Sequence, residues 1–438
     1  MTLTTDRRAI FSWALYDFAN SPFTTLVVTF VYATYFSESI AANSVEGQAL
    51  WGYAITISAL IIAVFSPVLG ALADQGGYRK RFVVIATLIT AAATAALYGI
   101  LPGQVMLALT VFVIANVAFE FAIVFYNAYL PDLATSKDIG RISGWGWGLG
   151  YFGGVLALLA ALVMFVQPDG LVTSFAQLGL GLPDGPWFGF STENGENVRA
   201  TNLLAAVWLL VFSLPLFFFV HERKRPTRSG APIIRGSLQQ LMSTFHEVRK
   251  HKETAKFLFA RLIYNNGLVT IFSFGGIYAA GTFGFSLTDV LIFGVVINIA
   301  AGLGAIAMGY VDDWIGAKRT IVVSLLGLLL AGCIGVFARD AVWFWVAGLI
   351  IGVFSGPNQA ASRSLMGRYA PKGLENEFFG FYAFSGKGSA FIGPLLVGLV
   401  TSISESQRAG MAVVIVLFVI GSALLIPVQE PGADQTLE

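Results

Sequence analysis

The sequence predicts an all-α polytopic membrane protein of twelve transmembrane helices in two pseudo-symmetric six-helix halves. Three observations carry that prediction. The 438 residues are 56% hydrophobic and only 12% charged, with a mean hydropathy of +0.75. Folded in water, such a chain would expose apolar patches far larger than soluble monomers tolerate. Apolar runs recur along the whole length, each long enough to cross about 30 Å of hydrocarbon as a helix. Finally, one short loop motif occurs twice, at equivalent places in the two halves.

The runs lie near residues 10–36, 49–73, 82–101, 104–129, 142–166, 200–220, 255–280, 287–310, 320–338, 341–362, 378–402 and 409–428. The first carries "WALYDFANSPFTT", in which Asp17, Asn20 and Pro22 interrupt an apolar helix. Neighbouring helices can satisfy the backbone that a proline frees, so Pro22 predicts a bend rather than an end. Run five has glycines at four-residue spacing on two stripes, Gly140, Gly144 and Gly148, and Gly146, Gly150 and Gly154, which permits close helix packing and sliding. In run ten Pro357 frees a carbonyl near the inner end.

A basic connector, 221–254, divides the chain into an N-terminal half (1–220) and a C-terminal half (255–438). Within it Ile234, Leu238, Leu241, Phe245 and Val248 share one helical face, as in a helix lying on a lipid surface or packing on a neighbour. The loop 167–199, rich in Gly, Pro and aromatics, is either a lid or a linker.

Of the 26 Lys and Arg, only Arg199, Arg339 and Arg408 fall in loops on one side, and Arg261 and Lys387 fall inside spans. The others, including Arg363, Arg368 and Lys372, are assigned to the opposite side with both termini. The positive-inside rule makes that side cytoplasmic. Arg7 and Arg8 precede a span too long for a cleaved signal, which reads as a signal anchor. A net charge of +1 argues against nucleic acid as a partner; the basic residues set topology. The lone Cys333 excludes an internal disulfide framework. The three histidines, His221, His246 and His251, all lie in the connector, so no metal site and no cofactor is expected.

The repeated loop is "GALADQGGYRK" (70–80) and "GYVDDWIGAKR" (309–319), sharing G-x3-D-x2-G-x-[RK]-[RK]. Gly70 and Gly309 let a neighbouring helix approach. Asp74 and Asp313 can accept backbone N–H groups from a helix N-terminus, favoured by its dipole. Gly77 and Gly316 allow a tight turn, and Arg79, Lys80, Lys318 and Arg319 anchor the loops at the cytoplasmic surface. Contacts of this kind can form in one state and break in another. "LYDFANS" (15–21) is also similar to "IYNNGLV" (263–269). Internal symmetry of this type builds many secondary transporters, with the substrate between the repeats.

The doubled motif and six-plus-six layout resemble the major facilitator superfamily across essentially the whole chain. Within it, "WALYDFANSPFTT", "FYNAYLPDLA", "GRISGWGWGLGYFGG", "ARLIYNNGLVTIFSFGGIYAAG", "GPNQAASRSLMGRYAP" and "EFFGFYAFSGKGSAFIGP" resemble the vacuolar amino-acid effluxer-like (autophagy-related permease) branch and its bacterial members. The resemblance implies secondary transport, with amino-acid efflux attributed to fungal members, and spans one, four, seven and ten lining a central cavity. Relatives tend to carry an acid where this chain has Asn266.

Asp17, Glu120, Arg261 and Lys387 are the ionisable side chains placed clearly within spans. Each costs about 2.5–3.5 kcal/mol at a helix centre. Counting residues puts all four roughly 9–14 Å from the cytoplasmic surface. They are expected either to gate and couple transport or to form fixed ion pairs, Asp17–Arg261 or Glu120–Lys387. Asn20, Asn116, Asn266 and Asn298 lie deeper, and with Thr24, Tyr264 and Asn265 are expected to hold a polar substrate, or else to bond helix to helix.

The reading is a secondary active transporter of a small polar solute, an amino acid or similar, driven by protons. It would work as a monomer in a bacterial inner membrane, with lipid as its other partner. A lipid or lysolipid carrier of the same fold and a non-transporting sensor are the alternatives. "SGKGS" (385–389) lacks the spacing of a phosphate-binding loop. No catalytic spacing of Ser, His or paired acids lies within the spans, so no enzyme is expected.

Overall fold

The computed structural model describes residues 6–167, 181, 183, 185–222 and 251–431. The amphipathic segment of the connector and much of 167–199 lie outside the described residues. Among those described, eleven helices are long and apolar enough to cross a membrane, and the first span supplies another in pieces. That span begins as α1 (Arg7–Pro22) and continues through wide π turns over Phe23–Phe30, a short helix at Tyr32–Tyr35 and a π turn at Phe36–Ile40. The first half is completed by α2 (Ser44–Gly76), α3 (Arg79–Ala96), α4 (Val105–Asn127), α5 (Ile139–Ala161) and α6 (Glu196–Phe219). The second comprises α7 (Lys252–Phe283), α8 (Leu287–Ile315), α9 (Ala317–Phe337), α10 (Ala341–Tyr369), α11a (Glu375–Lys387), α11b (Ile392–Ser404) and α12 (Gln407–Leu425). Phe65, Leu107, Val211, Phe259, Leu303 and Val416 are each at least 50% exposed. Apolar side chains so placed around a helical bundle form a lipid-facing mantle.

Two details show how the spans tolerate their breakers. Pro22 has no N–H to give Phe18, and the indole Nε1 of Trp208 on α6 donates to that carbonyl instead at 3.1 Å. The helix therefore continues past the proline, in π turns. The eleventh span, expected to be continuous over 378–402, is divided between Lys387 and Ile392. Gly386, Gly388 and Pro394 weaken helix there, and side chains of α7 take up the freed backbone. Asn265 Nδ2 donates to Gly386 O at 3.1 Å, and Asn266 Oδ1 accepts from Gly393 N at 3.1 Å.

The halves meet along α2–α11a and α5–α8, and glycine makes both seams possible. A Cβ on Gly70 would lie 2.4 Å from Asn376 O, and one on Gly380 2.6 Å from Ser66 O. A Cβ on Gly144 would lie 2.4 Å from Ala305 O, and one on Gly148 2.4 Å from Ile306 Cγ1. The second stripe of α5 serves another face. A Cβ on Gly146 would lie 2.5 Å from Asp17 Oδ2, and one on Gly154 2.7 Å from Thr25 Oγ1, both on the first span.

At the end carrying the repeated loops, hereafter the basic end, each half caps a helix of the other. Asp74 Oδ2 accepts from Glu377 N at 2.8 Å and its Oδ1 from Asn376 Nδ2 at 2.6 Å, at the start of α11a. Asp313 accepts from Gly140 N at 2.8 Å and Arg141 N at 3.2 Å, at the start of α5. Gly77 and Gly316 turn the chain with φ of +61° and +96°. A further pair of carboxylates caps the helices that follow the loops. Glu222 accepts from Arg79 N at 2.8 Å, and Glu430 from Ala317 N at 2.9 Å.

The basic residues do not share this symmetry. Arg79 is buried and crosses between halves, 2.6 Å from Asp132 and 3.4 Å from Glu375. Lys80 Nζ donates to Val220 O and Lys318 Nζ to Ile426 O, each within its own half, and Arg319 is exposed. The second half's buried cation is instead Arg368 of α10, which pairs within its own half, 2.8 Å from Asp312 and 2.5 Å from Glu430. A guanidinium suits several carboxylates at once, whereas an ammonium acts as one point charge.

Gly144→Leu is expected to wedge α5 from α8. Overpacking of about 1–3 kcal/mol should speed maleimide labelling of a cysteine placed at the buried Ala73 by roughly tenfold, in a Cys333→Ala background. Asp313→Asn keeps the shape but removes the charge from the α5 N-terminus, and should raise labelling less, by about 0.3–1 kcal/mol of helix-dipole stabilisation. Equal labelling of parent and Gly144→Leu proteins would show that this seam does not hold the basic end closed.

Candidate transport site

Between the halves lies a cavity of about 700 Å³, bounded by the first span and by α2, α4, α5, α7, α8, α10 and both parts of α11. The cross-capped seams close it at the basic end. Its walls reach Gly52 and Ile55 on α2 and Phe391 and Pro394 beyond the α11 break, so it extends toward the opposite end.

Of the expected substrate residues, Asn20, Thr24, Asn116, Asn265 and Asn298 line this cavity. Asn298 holds itself with a donation to Gly294 O at 2.7 Å, and Thr24 donates to Ser21 O at 2.9 Å. Tyr264 and Asn266 do not line it, and the expectation for them is corrected. Tyr264 points into the second half, with its hydroxyl 2.8 Å from Ser362 Oγ and its Cβ packed against Gly421 of α12. Asn266 is 1% exposed; besides accepting from Gly393 N it donates to Ser389 Oγ at 2.8 Å and to Leu262 O at 2.6 Å. One residue along α7 rotates a side chain by about 100°, which is why Asn265 faces the cavity and its neighbours on both sides do not.

The four intramembrane charges all line the cavity, and one of the two expected pairs forms. Lys387 Nζ is 2.6 Å from Glu120 Oε1, with the lysine side chain 40% exposed. Asp17 does not pair with Arg261. Its partner is Arg363 of α10, at 2.8 Å, a residue assigned above to a cytoplasmic loop. Run ten was ended at 362, but α10 continues to Tyr369, so Arg363 is buried inside the bundle. The two small residues before it and the unbroken stretch to Tyr369 were the available signal.

Arg363 is held from every side. Its Nη1 also donates to Asn127 Oδ1 at 3.2 Å, its Nε to Ser143 Oγ at 3.0 Å and its Nη2 to Ser143 O at 2.7 Å. The rings of Trp13, Tyr126 and Trp147 lie 4.8, 5.8 and 5.6 Å away. Bulk on Gly146 would strike both members of the pair. Arg261 is placed differently. Its Nη1 donates to Tyr382 O at 2.8 Å and Ser385 Oγ at 2.7 Å, and its guanidinium stacks 3.5 Å over the Tyr382 ring. No carboxylate pairs with it among the described residues. Asn127, Gln359, Tyr382 and Trp147 are further lining residues that periodicity alone did not separate from ordinary packing.

Known proteins are similar to this chain over most of its length. Residues 39–437 match the family model described as "Vacuole effluxer Atg22 like". An uncharacterized MFS-type transporter, YxiO, of Bacillus subtilis (strain 168) is 28% identical over 424 residues, covering 96% of this chain and 94% of its own. Autophagy-related protein 22 of Coccidioides immitis (strain RS) is 23% identical, covering 87% of this chain and 73% of its own. Among solved structures, the human organic anion transporter MFSD10 (TETRAN) superposes with a TM-score of 0.74 at 14% identity, covering 96% and 99% of the two chains. The fucose transporter FucP in the outward conformation superposes at 0.72 and 14%, covering 98% and 99%. Twelve spans, doubled basic loops and a polar cavity between halves thus accompany a family match over nearly the whole length, and the chain belongs to the vacuole effluxer Atg22-like family of MFS-type transporters.

Proposed function

We propose that this secondary transporter moves a small polar solute, an amino acid or a compound like it, by alternating access, with protons as the coupling ion and efflux as the direction. The observation that carries the reading is the cavity itself. It lies between two repeats, is closed at one end by contacts that separate if the halves rock, and is lined by amides and charged pairs at a depth where such groups are costly. With the basic end in the cytoplasm, as the distribution of Lys and Arg favours, the conformation described is outward-facing in a bacterial inner membrane. The cavity is complete within one chain, which supports a working monomer.

The two ion pairs suit different tasks. In Asp17–Arg363 the guanidinium is 2% exposed and hydrogen-bonded through all three of its nitrogens, and the pair serves to position the first span against α10. Glu120–Lys387 reaches the cavity through a half-exposed lysine, so water and solute have access to it, and Glu120 is the proposed proton carrier. Asn20, Thr24, Asn116, Asn265 and Asn298 supply uncharged donors and acceptors to the solute.

The test is flux into proteoliposomes of amino acids, peptides, sugars and lysolipids, with and without a proton gradient. Gradient-stimulated movement of a polar solute is expected; movement of lysolipid alone would replace this reading with a lipid carrier. Glu120→Gln should abolish the stimulation while solute exchange persists, and stimulation that survives in this variant would remove Glu120 from coupling. Asp17→Asn should instead lower folded yield and thermal stability, by about 3–5 kcal/mol, because it leaves a buried guanidinium unpaired. Asn116→Ala and Asn298→Ala should each raise the KM for the transported solute about tenfold, the loss of one hydrogen bond of about 1 kcal/mol or somewhat more, with little change in folded yield.

A further inference from the structure

The charges that line the cavity do not balance. Asp17, Glu120, Arg261, Arg363 and Lys387 all contribute to its wall. Asp17 is matched by Arg363 and Glu120 by Lys387. Arg261 is left over, without a carboxylate partner among the described residues. It is 6% exposed, so bulk water does not neutralise it as it would a surface cation. Its hydrogen bonds are one-sided. Nη1 reaches Tyr382 O and Ser385 Oγ, Nε has no partner, and none is found for Nη2 among the described residues. The Tyr382 ring covers one face of the guanidinium at 3.5 Å, and Gly386 gives it room, since a Cβ there would lie 2.9 Å from Nη1. The side chain is therefore fixed in place by α11a; Nε is unsatisfied but closed off from solvent, which leaves Nη2 as the terminal nitrogen for which no partner is found among the described residues, on a residue that lines the polar cavity.

A guanidinium held in this way has its remaining terminal N–H groups free to give charge-assisted hydrogen bonds to an anion. We propose that the cavity binds an organic acid, its carboxylate on Nη2 of Arg261 and its body against the apolar part of the wall. Asn265, one turn along the same face of α7 and also on the wall, is positioned to bond the acid or its α-substituent. Ile55, Leu60, Phe119, Ile123 and Val269 supply apolar surface, so the acid carries a hydrocarbon or aromatic group rather than a second charge. Binding then brings the cavity's excess of one positive charge to zero, which lets the halves close around a neutral interior. This rests on the reading of the cavity as the substrate site.

The experiment is equilibrium binding to the full-length purified protein in nanodiscs, using acids paired with their uncharged amides: 3-phenylpropanoate with 3-phenylpropanamide, hexanoate with hexanamide, and benzoate with benzamide. At least one acid is expected to bind about 10- to 100-fold more tightly than its amide, the range of a charge-assisted hydrogen bond. Arg261→Gln should erase that preference, and Arg261→Lys, which keeps the charge but loses the fork, should retain only part of it. Binding of none of the acids, equal binding of acid and amide, or an acid preference that survives Arg261→Gln overturns the proposal. If Arg261→Gln does not fold, the acid–amide comparison on the parent protein decides. Failure of this inference is distinguishable from failure of the transport reading. Flux without acid preference overturns only the Arg261 site, and acid binding without flux overturns only transport.

Discussion

The conformation depends on two carboxylates capping helices that belong to the opposite half. A helix N-terminus has unpaired N–H groups and a partial positive charge, and within a membrane neither can be left to water. Asp74 meets that need for α11a and Asp313 for α5. Each bond lies beside a glycine, Gly70 or Gly309, without which the backbones could not approach. The same two contacts therefore close the cavity at one end. Arg79 reinforces the first of them with a buried ion pair to Glu375 of the opposite half, whose members would be exposed to water once the halves part. Rehydration then offsets much of the lost contact, the condition for two states of similar free energy.

Inside the cavity the same economy of charge operates at close range. Arg363 meets Asp17, Asn127, Ser143 and three aromatic rings and is fixed. Lys387 pairs with Glu120 alone among the described residues and stays partly open. Arg261 leans on a ring and two acceptors of α11a and meets no acid among the described residues. These three cations differ in how their charge is met, and the one without an acid among the described residues stands beside the broken span.

The parts legible in the sequence were those fixed by composition and repetition. Apolar runs located the spans, and the doubled loop located the two caps, because a Gly-Asp-Gly spacing has few uses at a helix end. The cost of intramembrane charge was legible too, in that it singled out Asp17, Glu120, Arg261 and Lys387, which line one cavity. Partner choice was not, since it depends on which helix lies opposite. Arg363 was hidden because its run was closed one residue too early, so Asp17 lacked its true mate in the count. Tyr264 and Asn266 share a stretch with Asn265, and only the rotation of α7 separates wall from interior. The break in α11 left traces in Gly386, Gly388 and Pro394, but isolated glycines and prolines are common in membrane helices.

Asn266 links that break to the question of coupling. Its oxygen accepts from Gly393 N while its nitrogen donates to Leu262 O and Ser389 Oγ. An ionised carboxylate could accept the first bond but would face the Leu262 carbonyl oxygen with a second oxygen and no hydrogen. A protonated carboxyl could do both. In this conformation the amide is thus equivalent to an acid that never loses its proton, and the division of α11 is maintained whatever the pH. An acid in its place would tie the conformation to proton occupancy at that point; an asparagine cannot. Under the proposed proton coupling, Asn266 offers no proton site and the role falls to another group. Glu120, facing the cavity through a half-exposed partner one span away, combines access to water with a charge whose loss would free Lys387.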